Sequence, residues 1–171
     1  MFRSHATTFL TVLVLSLVTG GWAPGGPEPF AALAGCWRGS AGIIVSWCDQ
    51  KDLPIELRIH PDGRVEGTVG GATLVEARLE HNSGFLVALG NSKLVIRGRL
   101  EGDIVPAESI RRGTVRLFLD PSEDGSGLTG GLRTGGSKFG GRKSMQLTAS
   151  DLVLRRCPGG ESPPTPRPVK R

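Results

Sequence analysis

The sequence contains no tyrosine, and aromatic residues make up only 5% of its 171 positions. Proteins that bind single-stranded nucleic acid combine a basic groove with aromatic side chains on which the bases stack. The basic residues of this chain mostly alternate with acidic ones and form a cluster in one loop alone. We therefore expect no nucleic acid partner, although the formal net charge is +5.

Metal-ligand motifs are also missing from the sequence. The chain has three histidines and three cysteines with no C-x-x-C pair, and its glycine-rich basic loop at residues 134–143 does not follow the G-x-G-x-x-G pattern of dinucleotide binding. His60 and His81 stand alone at predicted turns, and no local motif activates Cys48. A zinc site needs several clustered ligands, and a catalytic nucleophile needs a base beside it. The sequence therefore predicts no metal, no cofactor and no enzymatic activity.

No apolar run is long enough to cross a bilayer, which takes roughly 20 residues. The longest run covers residues 9–18, follows Arg3 and precedes several small residues. A short apolar core between a basic start and small residues is typical of a secretory signal. We therefore predict a signal peptide over residues 1–23, a secreted or periplasmic protein, and no transmembrane helix in the mature chain. Cleavage after Gly20, Gly21 or Ala34 is an alternative.

Two segments rich in glycine and proline border the rest of the sequence. Residues 24–32 are predicted to be a linker, because these residue types disfavour both helix and strand. Residues 158–171 contain several prolines and no apolar cluster, which predicts a disordered C-terminal tail. One folded domain over residues 33–157 lies between them.

Within this domain, apolar and polar residues alternate with a period of two. In "IELRIHPDGRVEGTVGG" two alternating runs flank Pro-Asp-Gly, which is a strong hairpin signal. Similar runs recur in "TLVEARLEH", "FLVALG", "KLVIRGRLEG", "TVRLFLD" and "DLVLRR". About eight to ten short strands with frequent turns predict an all-β sandwich or barrel. Glycines inside the strands favour a small antiparallel up-and-down barrel, whose corners they would form.

The predicted inner face of this barrel is almost entirely apolar. Recognition of a polar ligand would require polar groups inside the cavity. An eight-stranded barrel is just large enough to be filled by its own side chains or to hold one small guest. We therefore expect either a packed core or a cavity for an apolar molecule, with the candidate lining residues Leu57, Val75, Phe85, Val87, Ile96 and Leu117.

The segment "PFAALAGCWRG" before the first predicted strand resembles the entry to the lipocalins and the wider calycin group, whose barrel starts with G-x-W. In that group a basic residue from the last strand packs on the tryptophan and closes one end of the barrel. The resemblance implies a calycin-like barrel closed by Gly35, Trp37 and either Arg155 or Arg156. The Thr-Asp-Tyr signature of true lipocalins is absent. The resemblance implies no particular activity.

The same segment also spells a bacterial lipobox, Leu33-Ala34-Gly35-Cys36. In this alternative Cys36 is the lipidated first residue of a lipoprotein. A lipobox must adjoin the apolar core of its signal, whereas here three prolines separate the two. The spacing therefore favours the barrel interpretation over the lipid anchor.

Cysteine pairing provides a geometric test of that interpretation. The first and last strands of an antiparallel barrel meet, which places Cys36 beside Cys157. Cys48 would lie roughly 36 Å further along a straight first strand, and a disulfide needs Cα atoms within about 7 Å. We therefore expect a Cys36–Cys157 disulfide and a free Cys48. A lipidated Cys36 would instead leave Cys48 to pair with Cys157.

One loop, "TGGSKFGGRK" at residues 134–143, gathers positive charge among four glycines. A flexible basic loop of this kind fits an anionic ligand or a lipid headgroup, and the alternative is a plain solvated loop. The candidate anion-contacting residues are Lys138, Phe139, Arg142 and Lys143.

These features favour a non-enzymatic interaction or structural role, exerted through the loops or outer surface of an exported barrel. The first alternative is lipocalin-like binding of a small apolar ligand inside the barrel. The second is lipid anchoring through Cys36. The candidate partners are therefore a small apolar ligand or a component of the cell envelope.

Overall fold

The computed structural model describes residues 29–135 and 146–158. The strands are β1 (Gly35–Ile43), β2 (Asp52–Ile59), β3 (Arg64–Val69), β4 (Ala72–His81), β5 (Leu94–Glu101), β6 (Asp103–Val105), β7 (Ile110–Arg111), β8 (Thr114–Pro121), β9 (Gly127–Gly135) and β10 (Thr148–Arg156). A short helix, α1 (Gly84–Ala88), and two 3-10 turns, Ala31–Leu33 and Pro106–Glu108, complete the elements in these ranges.

Eight of the strands form a closed antiparallel barrel in the order β1-β10-β9-β8-β5-β4-β3-β2. Consecutive barrel strands are neighbours, and the short β6–β7 hairpin is inserted between β5 and β8. The barrel closes where β1 pairs with β10 and Trp37 lies opposite Arg156. This order confirms the predicted all-β, up-and-down barrel. Closure leaves no free strand edge in it.

Alternating apolar side chains occupy the interior of the barrel. Ile55, Leu57 and Ile59 on β2 are at most 2% exposed, as the period-two pattern predicts. Full burial of one such side chain contributes about 1.5–3 kcal/mol, so this core is the main favourable term in folding. The other inward positions that the pattern predicts correctly are Val65, Val69, Ala77, Leu79, Leu94, Ile96, Leu100, Val115, Leu117 and Leu119.

The alternation breaks at a bulge in β4. Glu76 has a φ of 52°, and the register with β5 shifts between Val75 and Arg78. An extra residue in one strand changes which side chains face inward before it. Leu74 is therefore buried and Val75 is only half-buried. The prediction that Val75 faces the interior is wrong.

The predicted strand "FLVALG" is also wrong, because these residues form α1 and its C-terminal turn. The Ser83 side chain accepts a hydrogen bond from the Leu86 backbone N–H and caps the helix at its N-terminus. Phe85 is 73% exposed and Val87 is half-buried, so neither lies on the inner face. Periodicity alone does not separate a strand from a helical turn in so short an apolar run, and here the Ser83 cap favours the helix.

Gly67 forms a corner where β3 bends across β2. Its φ is 143°, and a Cβ atom at this position would lie 1.9 Å from the carbonyl oxygen of Glu56. The register with β4 shifts between Val65 and Gly67. Only glycine combines this backbone conformation with such a close approach of the neighbouring strand.

The expected disulfide joins the two ends of the barrel sequence. Cys36 and Cys157 are bonded, with their Cα atoms 5.4 Å apart. The Cys157 backbone N–H also donates to the Cys36 carbonyl oxygen at 3.0 Å. Cys48 is free and buried. The sulfur of Cys36 is therefore engaged, whereas the lipid-anchor alternative requires it to be free.

Candidate functional site

A row of five arginines crosses the outer face of the barrel. The strand register places Arg64 opposite Arg78, Arg78 opposite Arg97, Arg97 opposite Arg116, and Arg116 opposite Arg133. All five side chains are exposed. We call this set the arginine row. It follows five neighbouring strands, β3, β4, β5, β8 and β9.

Each arginine faces outward because its neighbours along the strand face inward. Arg78 lies between buried Ala77 and Leu79, and Arg116 lies between buried Val115 and Leu117. Adjacent strands are about 4.7–4.9 Å apart, so the row is about 19 Å long. Like charges directly opposite each other on neighbouring strands are destabilising. The row is therefore a concentration of positive charge that folding alone does not favour.

Carboxylates neutralise part of the row. The Arg64 backbone N–H and guanidinium both donate to Asp62, at 3.0 Å each, and hold the pKa of that carboxyl below its usual value. Arg97 forms an ion pair with Glu80 at 3.0 Å. No carboxylate of the described residues forms an ion pair with Arg78 or Arg116. The uncompensated charge therefore lies within the row and toward its β9 end.

Arg133 at that end is held over an aromatic ring. Its guanidinium carbon lies 6.0 Å from the centroid of Phe118. A cation over an aromatic ring at an exposed site gains about 0.5–1 kcal/mol. The contact leaves the guanidinium N–H groups available to an external acceptor, since the ring engages the flat face of the group.

Two surface clefts follow the row. One, of about 330 Å³, lies between β3 and β4 and is lined by Arg64 and Arg78 together with Glu66 and Glu76. The other, of about 320 Å³, is lined by Arg116 and Arg133, with Thr114, Phe118, Thr134, Gly135 and Gln146 around them. The described residues that line the second cleft supply two guanidinium groups, hydroxyl groups and an amide group, and none of them is a carboxylate. It is the more suitable of the two for an anion.

The predicted basic loop borders this second cleft in sequence. Its candidate residues Lys138, Phe139, Arg142 and Lys143 lie outside the described residues. The flanking residues Gly135 and Gln146 line the cleft with Arg116 and Arg133. The anion-binding role of the loop stays a prediction, and the arginine row is the site that the structure describes.

The residues predicted to close the barrel meet where β1 pairs with β10. Trp37 is fully buried, and the Arg156 guanidinium carbon lies 4.6 Å from its ring centroid. The Trp37 indole N–H donates to the Leu33 carbonyl oxygen at 2.8 Å, and Arg156 donates to Ala34 at 2.9 Å. Of the two arginines that the sequence left open, Arg156 occupies this position and Arg155 does not. Gly35 has a φ of 130° and lies beside Arg156.

Three of the six candidate cavity residues meet inside the barrel. Leu57, Ile96 and Leu117 are 0–1% exposed. A side chain lining a cavity large enough for even one water molecule would keep accessible surface there. These three side chains are therefore packed against their neighbours. Val75, Phe85 and Val87 do not join them.

Cys48 lies in the loop between β1 and β2, beside the turn that contains Glu108. Its thiol lies 3.4 Å from Glu108 Oε1, which also accepts the backbone N–H groups of Gln50 and Asp49 at 2.8 and 3.0 Å. Burial raises the pKa of the Cys48 thiol, and the hydrogen bond to Glu108 raises it further. The backbone N–H of Gln50, with that of Asp49, holds the pKa of Glu108 below its usual value. The pair therefore links the loop to the turn that contains Glu108, and both effects favour the neutral form of the thiol.

We expect the Cys48 thiol to react with Ellman's reagent at least about a hundredfold more slowly in the native protein than in urea, because labelling requires local opening. The control is the urea-unfolded protein with its disulfide intact, measured at the same pH. Equal rates in the two states would mean that Cys48 is accessible and that the loop does not bury it.

Comparison with protein-family models, with curated proteins and with solved structures finds no match to this chain. Within the described ranges, no three or more His, Cys, Asp and Glu side chains are grouped to hold a metal ion. Across the same residues, no helix combines the length and apolar character needed to span a membrane.

Sequence reasoning missed the arginine row because its members come from five different strands. Along the chain, Arg64 lies near Asp62 and Arg78 near Glu80, so the charges alternate in sign. The signal becomes visible once the hairpin registers are known, since register decides which residues lie opposite each other. Bulges such as the one at Glu76 shift that register, and the sequence pattern did not reveal it.

Proposed function

We propose that this protein is an exported, calycin-like barrel that binds an anionic partner with its arginine row and performs no catalysis. The observation that carries the proposal is the cleft in which Arg116 and Arg133 lie side by side, with no carboxylate among its described lining residues. Each unfavourable cross-strand pair costs about 0.2–1 kcal/mol. An anion bound between two arginines removes that cost and gains charge-assisted hydrogen bonds.

The packed interior favours binding at the outer surface over carriage of a small ligand inside the barrel. Leu57, Ile96 and Leu117 retain almost no accessible surface, so a guest would have to displace core side chains. The contact between Trp37 and Arg156 supports the relationship to calycin barrels. The disulfide supports export, because such bonds persist in oxidising compartments.

The test compares two double variants with the same net charge. Arg78→Thr with Arg116→Thr removes two uncompensated members of the row, and Arg111→Thr with Arg155→Thr removes two exposed arginines outside it. With heparin as the anionic probe, we expect the row variant to lose about tenfold or more in affinity, since hydrogen bonds to charged groups are lost. The control variant should lose much less.

The row variant is also expected to be more stable than the native protein, by about 0.5 kcal/mol or more, because like-charge pairs are relieved and threonine favours strands. Urea denaturation followed by circular dichroism measures this change. Equal heparin affinity for both double variants would contradict the proposed function. A guest released on denaturation in native mass spectrometry would favour the carrier alternative.

A further inference from the structure

We infer that the partner is a flexible linear polyanion without bases, such as an acidic polysaccharide, lying along the arginine row across the strands. This inference rests on the proposed function and specifies its ligand. The row presents five guanidinium groups at regular strand spacing, which matches a chain carrying repeated anionic groups. A small isolated anion would use only the cleft at Arg116 and Arg133.

The curvature of the barrel favours a flexible chain over a flat anionic lipid surface. The row spans four of the eight inter-strand steps of the closed barrel. With strands tilted by 35–45°, its ends face directions roughly 90–120° apart. A flat lipid surface that touches the middle of the row meets the two ends at oblique angles. A flexible chain can follow the curve of the barrel and contact the whole row.

The clefts support the same choice. Arg64 and Arg78 line one recess, and Arg116 and Arg133 line another, on either side of Arg97. A narrow chain can enter recesses between side chains, and a bilayer surface cannot. The planar guanidinium fork binds sulfate, carboxylate and phosphate groups through paired hydrogen bonds, so all three anion types fit this chemistry.

Nucleic acid fits the row less well. Single strands gain much of their affinity from bases stacked on exposed aromatic rings. The aromatic ring next to the row, Phe118, is half-buried and has Arg133 over it. Duplex DNA has a persistence length of about 150 base pairs, so it does not bend around a barrel.

The two clefts also predict an order of binding along the row. In the part of the chain that the structure describes, no carboxylate lines the cleft at Arg116 and Arg133, whereas Glu66 and Glu76 line the cleft at Arg64 and Arg78. A short polyanion should therefore occupy the Arg116 end first. A longer one should extend to Arg78, about three strand spacings or 14 Å from Arg133.

The experiment titrates the full chain with heparin fragments of increasing length, using Arg133→Thr, Arg78→Thr and the off-row control Arg155→Thr. We expect Arg133→Thr to weaken fragments of every length and Arg78→Thr to weaken long fragments only. With long heparin, each row variant should reduce the slope of log affinity against log salt by about one. The control should leave that slope nearly unchanged.

Further probes separate the anion sources and the competing partners. Polygalacturonate supplies carboxylates, long-chain polyphosphate supplies phosphates, and their affinities relative to heparin identify the preferred group. Tighter binding of anionic vesicles or of an oligo-dT strand than of all three polymers, still sensitive to Arg116→Thr, would overturn this inference and leave the proposed function standing. No row-dependent binding to any anion would overturn both.

Discussion

Replacement of both Cys36 and Cys157 by serine is expected to lower the free energy of unfolding by about 4.7 kcal/mol, the chain-entropy value for a loop of roughly 100 residues. The bond joins residues separated by 121 positions, so it restricts nearly the whole folded domain in the unfolded state. Single domains are stable by about 5–15 kcal/mol, so this loss is a large part of the total. Urea denaturation followed by far-ultraviolet circular dichroism measures it.

The matched control is the native sequence treated with a reductant. Cys48 is buried and unpaired, so reduction removes the same single constraint without changing any side chain. Both forms should unfold at the same lower urea concentration, and two hydrogens should be gained in the mass of the reduced protein. A loss below about 1 kcal/mol in both would contradict the prediction and show that residual structure keeps the two ends close together in the unfolded chain without the bond.

The barrel could be predicted from the sequence because its strongest signals are local. The run from Ile55 to Val69 contains two alternating segments and a Pro-Asp-Gly turn, and it forms β2 and β3 with the expected inward residues. The disulfide followed from topology, since β1 and β10 must meet to close the sheet. These inferences required only the period-two alternation of apolar residues within each strand and the antiparallel order of the strands.

Features that depend on single backbone conformations or on register could not be predicted in this way. The bulge at Glu76 requires one residue in the left-handed region, and Val75 changes face because of it. α1 replaces a strand because Ser83 caps it, although Phe85 and Leu89 suggested alternation. The arginine row depends on four registers at once. A one-residue slip in any of them would separate its members.

The arginine row is exposed to solvent, whereas the contact between Trp37 and Arg156 that closes the barrel involves a buried ring. Trp37 and Arg156 meet where apolar burial and one cation–π contact act together. Along the row, Arg78 and Arg116 are exposed and form no ion pair with a carboxylate of residues 29–135 or 146–158. Substitutions at the closure site should therefore change stability, and substitutions in the row should change binding. The stabilising contact of Arg156 and the binding role proposed for the row can therefore be tested independently.

Trp37→Ala is expected to lower the free energy of unfolding by about 3–5 kcal/mol, the usual cost of removing a large buried aromatic side chain. Trp37 is fully buried, and its indole N–H satisfies the Leu33 carbonyl at 2.8 Å. The variant leaves a cavity, an unpaired carbonyl, and Arg156 without its aromatic partner. Urea denaturation monitored by circular dichroism should show this loss while heparin affinity stays unchanged, because the row is on other strands.

Arg156→Lys is the matched variant for the other half of the contact. Lysine keeps the charge but lacks the planar group that lies 4.6 Å from the Trp37 centroid and donates to Ala34. We expect a smaller loss, about 0.5–2 kcal/mol. Cys36 and Cys157 adjoin Trp37 and Arg156 in sequence, so removal of the disulfide should change the cost of Trp37→Ala by more than about 0.5 kcal/mol. Strict additivity would show that the bond and the ring stabilise the barrel independently.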